Sequence, residues 1–208
     1  LPSVVVQAVR VVEADGVGSG LESGGLVAAV YTMRGLTNFP VLPESALPAL
    51  LRVDGQIDFP GAVASGNALL PFGSGCFIRW TGRIRITEPG TSTFYVESDD
   101  GSRLFINGRE VVNNGGVHAM VEKSGEISLT AGDHEIRLEY FDQGGEAGCR
   151  LSWSSPAMPK EIVPARVLFR PSLMPDFVAT TMSDARGVYR FPHLVSGRYR
   201  FRAPVPCR

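Results

Sequence analysis

The feature that most constrains the fold is the alternation in "FIRWTGRIRI", residues 77–86. Ile78, Trp80, Ile84 and Ile86 fall on one parity and Arg79, Arg83 and Arg85 on the other. Successive residues of a strand point to opposite faces, so this is the period of a half-buried β-strand. The pattern recurs in "TFYVES", where Phe94 and Val96 alternate with Thr93, Tyr95 and Glu97, and in "CRLSWSS", which puts Leu151 and Trp153 on one face. Asn107-Gly108, between "RLFI" and "REVV", is a strong hairpin signal, because a type I′ turn needs positive φ at both central residues. "GEISLTAG" and "HEIRLEYF" read as a further strand pair around Ala131-Gly132-Asp133. Helical periodicity over ten or more residues is absent. Regular short strands with turn signals between them indicate an all-β fold, an antiparallel β-sandwich or barrel.

Elsewhere the text is less regular. Val4 to Val12 reads as a strand, Ala14 to Gly25 as a flexible connector and Leu26 to Tyr31 as a short, fully buried strand. The prolines between Thr32 and Gly75 argue against a long helix or strand there, and "ESALPALL" (Glu44 to Leu51) could hold one helical turn. After Pro171 a second, smaller β pattern begins, in which Arg198, Arg200 and Arg202 alternate with Tyr199 and Phe201. Six Arg and two Asp between Asp176 and Arg208 make this tail locally basic, and a solvated strand face accounts for it.

The chain is 44% hydrophobic and 20% charged with a net charge of −1, a globular composition with no global field to draw it to nucleic acid or an acidic membrane. No apolar run is long enough to span a bilayer. The first residues carry neither an initiator Met nor a basic n-region, so a piece of a longer protein is expected. Cys76, Cys149 and Cys207 lack metal-type spacing. Cys76 and Cys149 could pair, but two buried thiols are the preferred reading, with Cys207 free.

Asp99 and Asp100 stand side by side at a corner between two strands. They could be ordinary turn residues or half of a metal site. In regular strand geometry two consecutive carboxylates face opposite ways and cannot share an ion, so the metal reading requires a sharply bent peptide between them. Calcium takes about 6–8 oxygen ligands, and two aspartates supply too few. Other conspicuous residues have plainer readings. Trp80 and Trp153 share parity with core residues, Tyr95 lies on a half-covered face, and His134 is a surface or hydrogen-bonded residue. "HEIRL" has Leu138 where a zinc-protease helix needs its second His. Arg79 and Arg103 are expected in surface ion pairs of little worth.

Five blocks in order, "FIRWTGRI", "YVESDDGSRLFINGREVVNN", "ISLTAGDHEIRLEYFDQGG", "RLSWSSP" and "IVPARVLF", together resemble the protective-antigen domain family over roughly Gly25 to Arg170. The resemblance implies an antiparallel β-sandwich (residues 25–171, after a strand and linker over 1–24) that recognises carbohydrate within secreted or cell-surface multidomain proteins. In the adhesin branch the matching aspartates, joined by a cis peptide, bind Ca2+, which binds sugar hydroxyls. That implies Asp99 and Asp100 as ligands. A third would come from "YFDQGGEAG", where that branch has Asn and this chain has Asp142 or Gln143. Gly144 and Gly145 would let backbone approach an ion or sugar, and selectivity would fall to Gln143, Glu146, Asn113, Asn114 and His118. The tail over 172–208 resembles part of a carboxypeptidase-regulatory-like or collagen-adhesin B-type repeat, a small prealbumin-like module.

Three functions compete: a calcium-assisted module for a glycan or polysaccharide, a spacer sandwich without ligand, and a glycosidase. The last needs two carboxylates about 5–10 Å apart across a cleft. Asp99 with Glu146 could be imagined there, but no catalytic motif accompanies them. An accessory part of a glycoside hydrolase, with the catalytic domain elsewhere in a parent protein, is therefore more plausible than activity here. The expectation is a non-catalytic binding module, secreted or on the cell surface, with no nucleic-acid partner and no membrane insertion.

Overall fold

The alternating segments are strands of two facing sheets. The computed structural model describes residues 5–10, 21–43, 46–62, 69, 75–171, 177–182 and 199–202. In chain order the strands are β1 (Val5–Arg10), β2 (Leu21–Ser23), β3 (Leu26–Thr32), β4 (Leu50–Asp54), β5 (Asp58–Ala62), β6 (Cys76–Ile86), β7 (Gly90–Asp99) and β8 (Ser102–Ile106). There follow β9 (Arg109–Asn114), β10 (Val121–Leu129), β11 (Gly132–Asp142), β12 (Ala147–Ser155), β13 (Met158–Ile162), β14 (Leu168–Pro171), β15 (Phe177–Met182) and β16 (Tyr199–Arg202). The first sheet runs β16-β1-β15-β4-β3-β6-β11-β8-β9, with β14 against β6 and β2. The second runs β10-β7-β12-β13, with β5 also on β12. Every pairing is antiparallel.

The parities read from the sequence select the core. Ile78, Trp80, Ile84 and Ile86 of β6 are buried, with Ile136, Leu138 and Tyr140 of β11 beside them and Phe94, Val96, Leu151 and Trp153 facing them from the second sheet. Burying one such side chain contributes about 1.5–3 kcal/mol. The Trp80 indole N–H is satisfied inside, donating to Asp54 Oδ2 at 2.7 Å, and Arg52 Nε donates to the same carboxylate at 3.1 Å. The hairpin turn has the expected backbone, φ 50° at Asn107 and 77° at Gly108. Cys76 and Cys149 are buried free thiols. Burial pushes both thiols up, so neither is a ready nucleophile.

Three expectations need correction. "GEISLTAG" and "HEIRLEYF" do not pair: β10 hydrogen-bonds to β7 in one sheet and β11 to β6 and β8 in the other. Each has an apolar face, and the two faces close the core from opposite sides; Gly132, at φ 130°, turns the corner. Among the described residues the region after Thr32 holds two five-residue strands, short as its prolines require, and Pro60 is accommodated because β5 pairs there with β12 alone. Leu50 and Leu51 of the expected helical turn are strand (Glu44 and Ser45 lie outside the described residues). Part of the expected connector is β2, which pairs with β14. In the tail, β15 and β16 both pair with β1. Residues 183–198, which carry most of the text resembling a second module, and Cys207 lie outside the described residues.

Candidate functional site

The acidic corner lies where β7 ends and β8 begins. Asp99 and Asp100 are 8% and 3% exposed, unusual burial for adjacent carboxylates. The peptide between them is cis. Asp100 Oδ1 accepts the His118 backbone N–H at 3.1 Å and its Oδ2 accepts that of Gln143 at 2.8 Å. One carboxylate thus ties the loop before β10 to the loop after β11. The Asp99 carbonyl accepts the Tyr140 hydroxyl at 2.6 Å. Beneath the corner, Ser98 Oγ meets Ser102 Oγ at 2.7 Å and accepts from Asn114 Nδ2 at 3.1 Å. Gly101 is required here, because a side chain would run into the Phe141 ring and the Gly116 carbonyl.

Asp142 closes β11 opposite Cys76 and is fully buried. Its Oδ2 accepts the Gly75 N–H at 2.7 Å, and its Oδ1, also buried, has no hydrogen-bond partner. An orphaned carboxylate oxygen at the end of a strand is an unusual thing for a fold to keep. The electrostatics agree. Burial pushes the Asp99 carboxyl up to about 6, and the Asp100, Asp142 and Glu146 carboxylates push in the same direction against a smaller opposing effect of His118. Burial also raises Asp142, opposed by the Gly75 N–H, reinforced by Asp100 and opposed more weakly by the Gly144 N–H, which approaches the same carboxylate. Negative charge has been gathered where it is least comfortable, which favours binding a cation.

Of the other residues singled out in the sequence, Gln143, Gly144, Gly145 and Glu146 are exposed on the loop after β11, with Gly144 and Gly145 at φ 148° and 100°. Asn113 is exposed and bonded to Glu110 and the Gly115 N–H. The ring nitrogens of His118 face the carbonyls of Ala119 and Asn114. Asn114 is buried, and its amide is committed to Ser98 and the Val121 carbonyl. Among the described residues no three His, Cys, Asp or Glu side chains are gathered closely enough to hold a metal ion by themselves. Sequence reasoning missed the Gly75 N–H and the Tyr140 hydroxyl. Tyr140 had a signal, since an inward-facing Tyr needs a partner for its hydroxyl.

Trp80 and Trp153 are buried, Tyr95 has Lys160 4.4 Å over its ring, and His134 is held by Asn107 and the Thr130 carbonyl. Arg79 and Arg103 depart from expectation: both donate to Glu139, which is 1% exposed, so the pair is not a surface one.

Comparison with known proteins fits this architecture. Anti-sigma-I factor RsgI3 of Acetivibrio thermocellus is 33% identical over 121 residues, which is 57% of this chain and 18% of that protein. An anti-sigma factor domain-containing protein from Clostridium clariflavum superposes with a TM-score of 0.60 at 29% identity, covering 74% of this chain and 49% of that one. The chain therefore spans half or less of these relatives. The PA14 domain of the MpAFP antifreeze protein (TM-score 0.65, 20% identity, 79% of this chain and 99% of that one) and the PA14 sugar-binding domain from an RTX adhesin (0.64, 22%, 72% and 99%) share the fold. None of the family and relatives named here is described as an enzyme. The PA14 domain profile matches residues 25–166, and with the two-sheet architecture and the acidic corner this establishes that the chain belongs to the PA14 domain family.

Proposed function

We propose that this chain is a carbohydrate-binding module in which Asp99, Asp100 and Asp142 hold a calcium ion and the surrounding loops read a glycan. The observation that carries the reading is the buried acidic end: Asp99 raised to about 6 by burial and neighbouring carboxylates, beside an Asp142 oxygen with no partner. The donor set suits a hard cation, since carboxylate oxygens dominate and Cys76, beside Asp142, is kept protonated by burial. Asp99 makes no side-chain hydrogen bond to the described residues, and Asp142 offers Oδ1. Bound there, calcium would supply a Lewis-acidic contact for a vicinal diol. Three carboxylates fall short of its usual shell, which leaves positions for backbone oxygen, water and sugar. Gln143 and Glu146, with the open backbone of Gly144 and Gly145, form one rim; Asn113 and His118 form the other. Asn114 supports the corner from beneath.

The likeness to anti-sigma factors supports a sensing segment of a longer regulatory chain as the parent context, and the fold shared with an RTX adhesin domain supports an adhesive one. Glycans of either use lie outside the cell, so a secreted or surface position is part of the proposal. No helix among the described residues is long and apolar enough to cross a membrane. A second reading, the ligand-free spacer, is favoured by the lack of a close three-residue metal cluster among the described residues.

Calorimetric titration with calcium chloride, with melting curves in calcium and in EGTA, separates the two. A hundredfold excess of free calcium over Kd adds about 2.7 kcal/mol, roughly 5–10 °C in Tm for a chain of this size. The Asp99→Ala/Asp100→Ala variant should lose that response. No heat and no thermal shift in the parent chain would leave the spacer reading.

A further inference from the structure

A second concentration of charge lies on the outer face of the first sheet. Glu139 of β11 stands between Arg79 of β6 and Arg103 of β8, which donate through Nε to its two oxygens at 2.8 and 2.6 Å. Arg137, two residues back on the same face, brings its Nε to 3.7 Å from Glu139 Oε1, and that buried nitrogen makes no hydrogen bond. Three guanidinium groups around one carboxylate leave a surplus of two positive charges. Further along the face the charges are matched: Arg85 bonds Asp133 at 2.7 Å and Arg83 stands opposite Glu135. Glu110, opposite Phe105 on the outermost strand, accepts from Asn113.

Aromatic rings hold these arginines in place. The Arg79 guanidinium lies 5.4 Å over Phe77, that of Arg103 4.2 Å over Phe39 and 5.3 Å over Phe105, and that of Arg137 4.1 Å over Phe105. A guanidinium stacked in this way loses little further freedom when it forms hydrogen bonds. Arg79 and Arg103 spend only Nε on Glu139. The terminal nitrogens of all three arginines make no hydrogen bond to the described residues, and the side chains remain 29%, 29% and 38% exposed. Preordered guanidinium forks of this kind suit carboxylates and phosphates, and a carboxylate is the group that an acidic sugar of the uronate class carries. Arg79 and Arg103 converge on one carboxylate and Arg137 adds a third guanidinium beside them on the same face, so the cluster offers more than one fork to a ligand that carries several carboxylates.

The arginine face is continuous with the acidic end. The Phe39 ring stacked under Arg103 also packs edge-on against Phe141 at 5.2 Å, next in the chain to Asp142. We propose that this face binds the carboxylates of a uronate-bearing glycan whose neighbouring sugars engage the acidic end. This deepens the carbohydrate-binding reading and rests on it. The arginines would choose acidic polymers over neutral ones.

The test is affinity electrophoresis of the 208-residue chain through gels containing polyglucuronate, its carboxyl-reduced neutral counterpart or polyglutamate, each in calcium and in EGTA. Polyglucuronate should retard the chain more than the neutral polymer does, and the excess should persist in EGTA. Arg137→Gln, which leaves both hydrogen bonds to Glu139 intact, should weaken the excess about five- to tenfold, the weight of one charge-assisted pair, with retention on the neutral polymer unchanged. Equal retention on charged and neutral polymers overturns the proposal, as does an excess indifferent to Arg137→Gln. Retention on polyglutamate as strong as on polyglucuronate overturns it in favour of an acidic protein partner. The calcium reading fails separately, by retention on every polymer indifferent to EGTA and to Asp99→Ala/Asp100→Ala.

Discussion

Asp100 Oδ2 accepts the Gln143 backbone N–H at 2.8 Å, so the corner after β7 and the loop after β11 are held together by one carboxylate. Its other oxygen holds His118 N–H at 3.1 Å. Asp99 makes no comparable side-chain bond to the described residues and is raised by burial and, less, by its acidic neighbours. The adjacent aspartates should therefore differ in calcium-free protein. Asp100→Ala loses two bonds to a charged acceptor and should cost about 2–4 kcal/mol. Asp99→Ala should be neutral or stabilising. Urea unfolding in EGTA measures both.

The Asp99 carboxyl, at about 6 when folded against an ordinary 3.8, binds its proton more tightly in the native state. Its contribution to stability is fully present below pH 3.8 and is lost as pH rises through 6, because the native state then carries more protons than the unfolded one. In EGTA the parent chain should lose more stability between pH 4 and pH 6.5 than an Asp99→Asn variant does. Parallel melting curves for the two proteins would sink this assignment.

Gly101 lies against the Phe141 ring with no room for a side chain. Gly101→Ala should displace that ring, the neighbour of Asp142, and cost about 1–3 kcal/mol by overpacking. If the acidic end binds calcium, the thermal response to calcium should weaken with it.

Asp54 receives the indole N–H of fully buried Trp80. Asp54→Ala strands that donor in the core and should cost about 1–3 kcal/mol. The site lies away from the acidic corner, so any calcium response should survive the change in stability.

Glu139 is buried among three arginines. Removing it leaves their charge uncompensated, and Glu139→Ala should cost about 3–5 kcal/mol. Arg137→Gln should cost under about 1 kcal/mol, because its Nε makes no hydrogen bond to Glu139. Equal losses for the two variants would show that Arg137 is needed to neutralise Glu139.

Much of the sandwich was legible in the chain. The parity of Ile78, Trp80, Ile84 and Ile86 named their buried face, and Asn107-Gly108 named its turn, because both signals are local: one is the period of a strand and the other a backbone conformation few residues adopt. The exchange of β10 and β11 between sheets was not legible, since a strand's period is the same whichever neighbour it pairs with. The short strands β4 and β5 were not legible, because Pro48 just before one and Pro60 within the other interrupt the pattern; among the described residues β5 pairs with β12 alone, where a proline is tolerated.

The candidate site divides in the same way. The sequence alone determined that two aspartates share a corner and that an acidic, glycine-rich loop follows "HEIRLEYF"; both are statements about neighbours in the chain. Only the tertiary structure decided that Asp100 bridges the loops of His118 and Gln143, that Asp142 meets the Gly75 N–H and leaves Oδ1 unpartnered, and that Arg79 and Arg103 converge on a buried Glu139. Those contacts join groups far apart in the chain. Burial then makes each charge costly, and the cost depends on partners that sheet registration brings together.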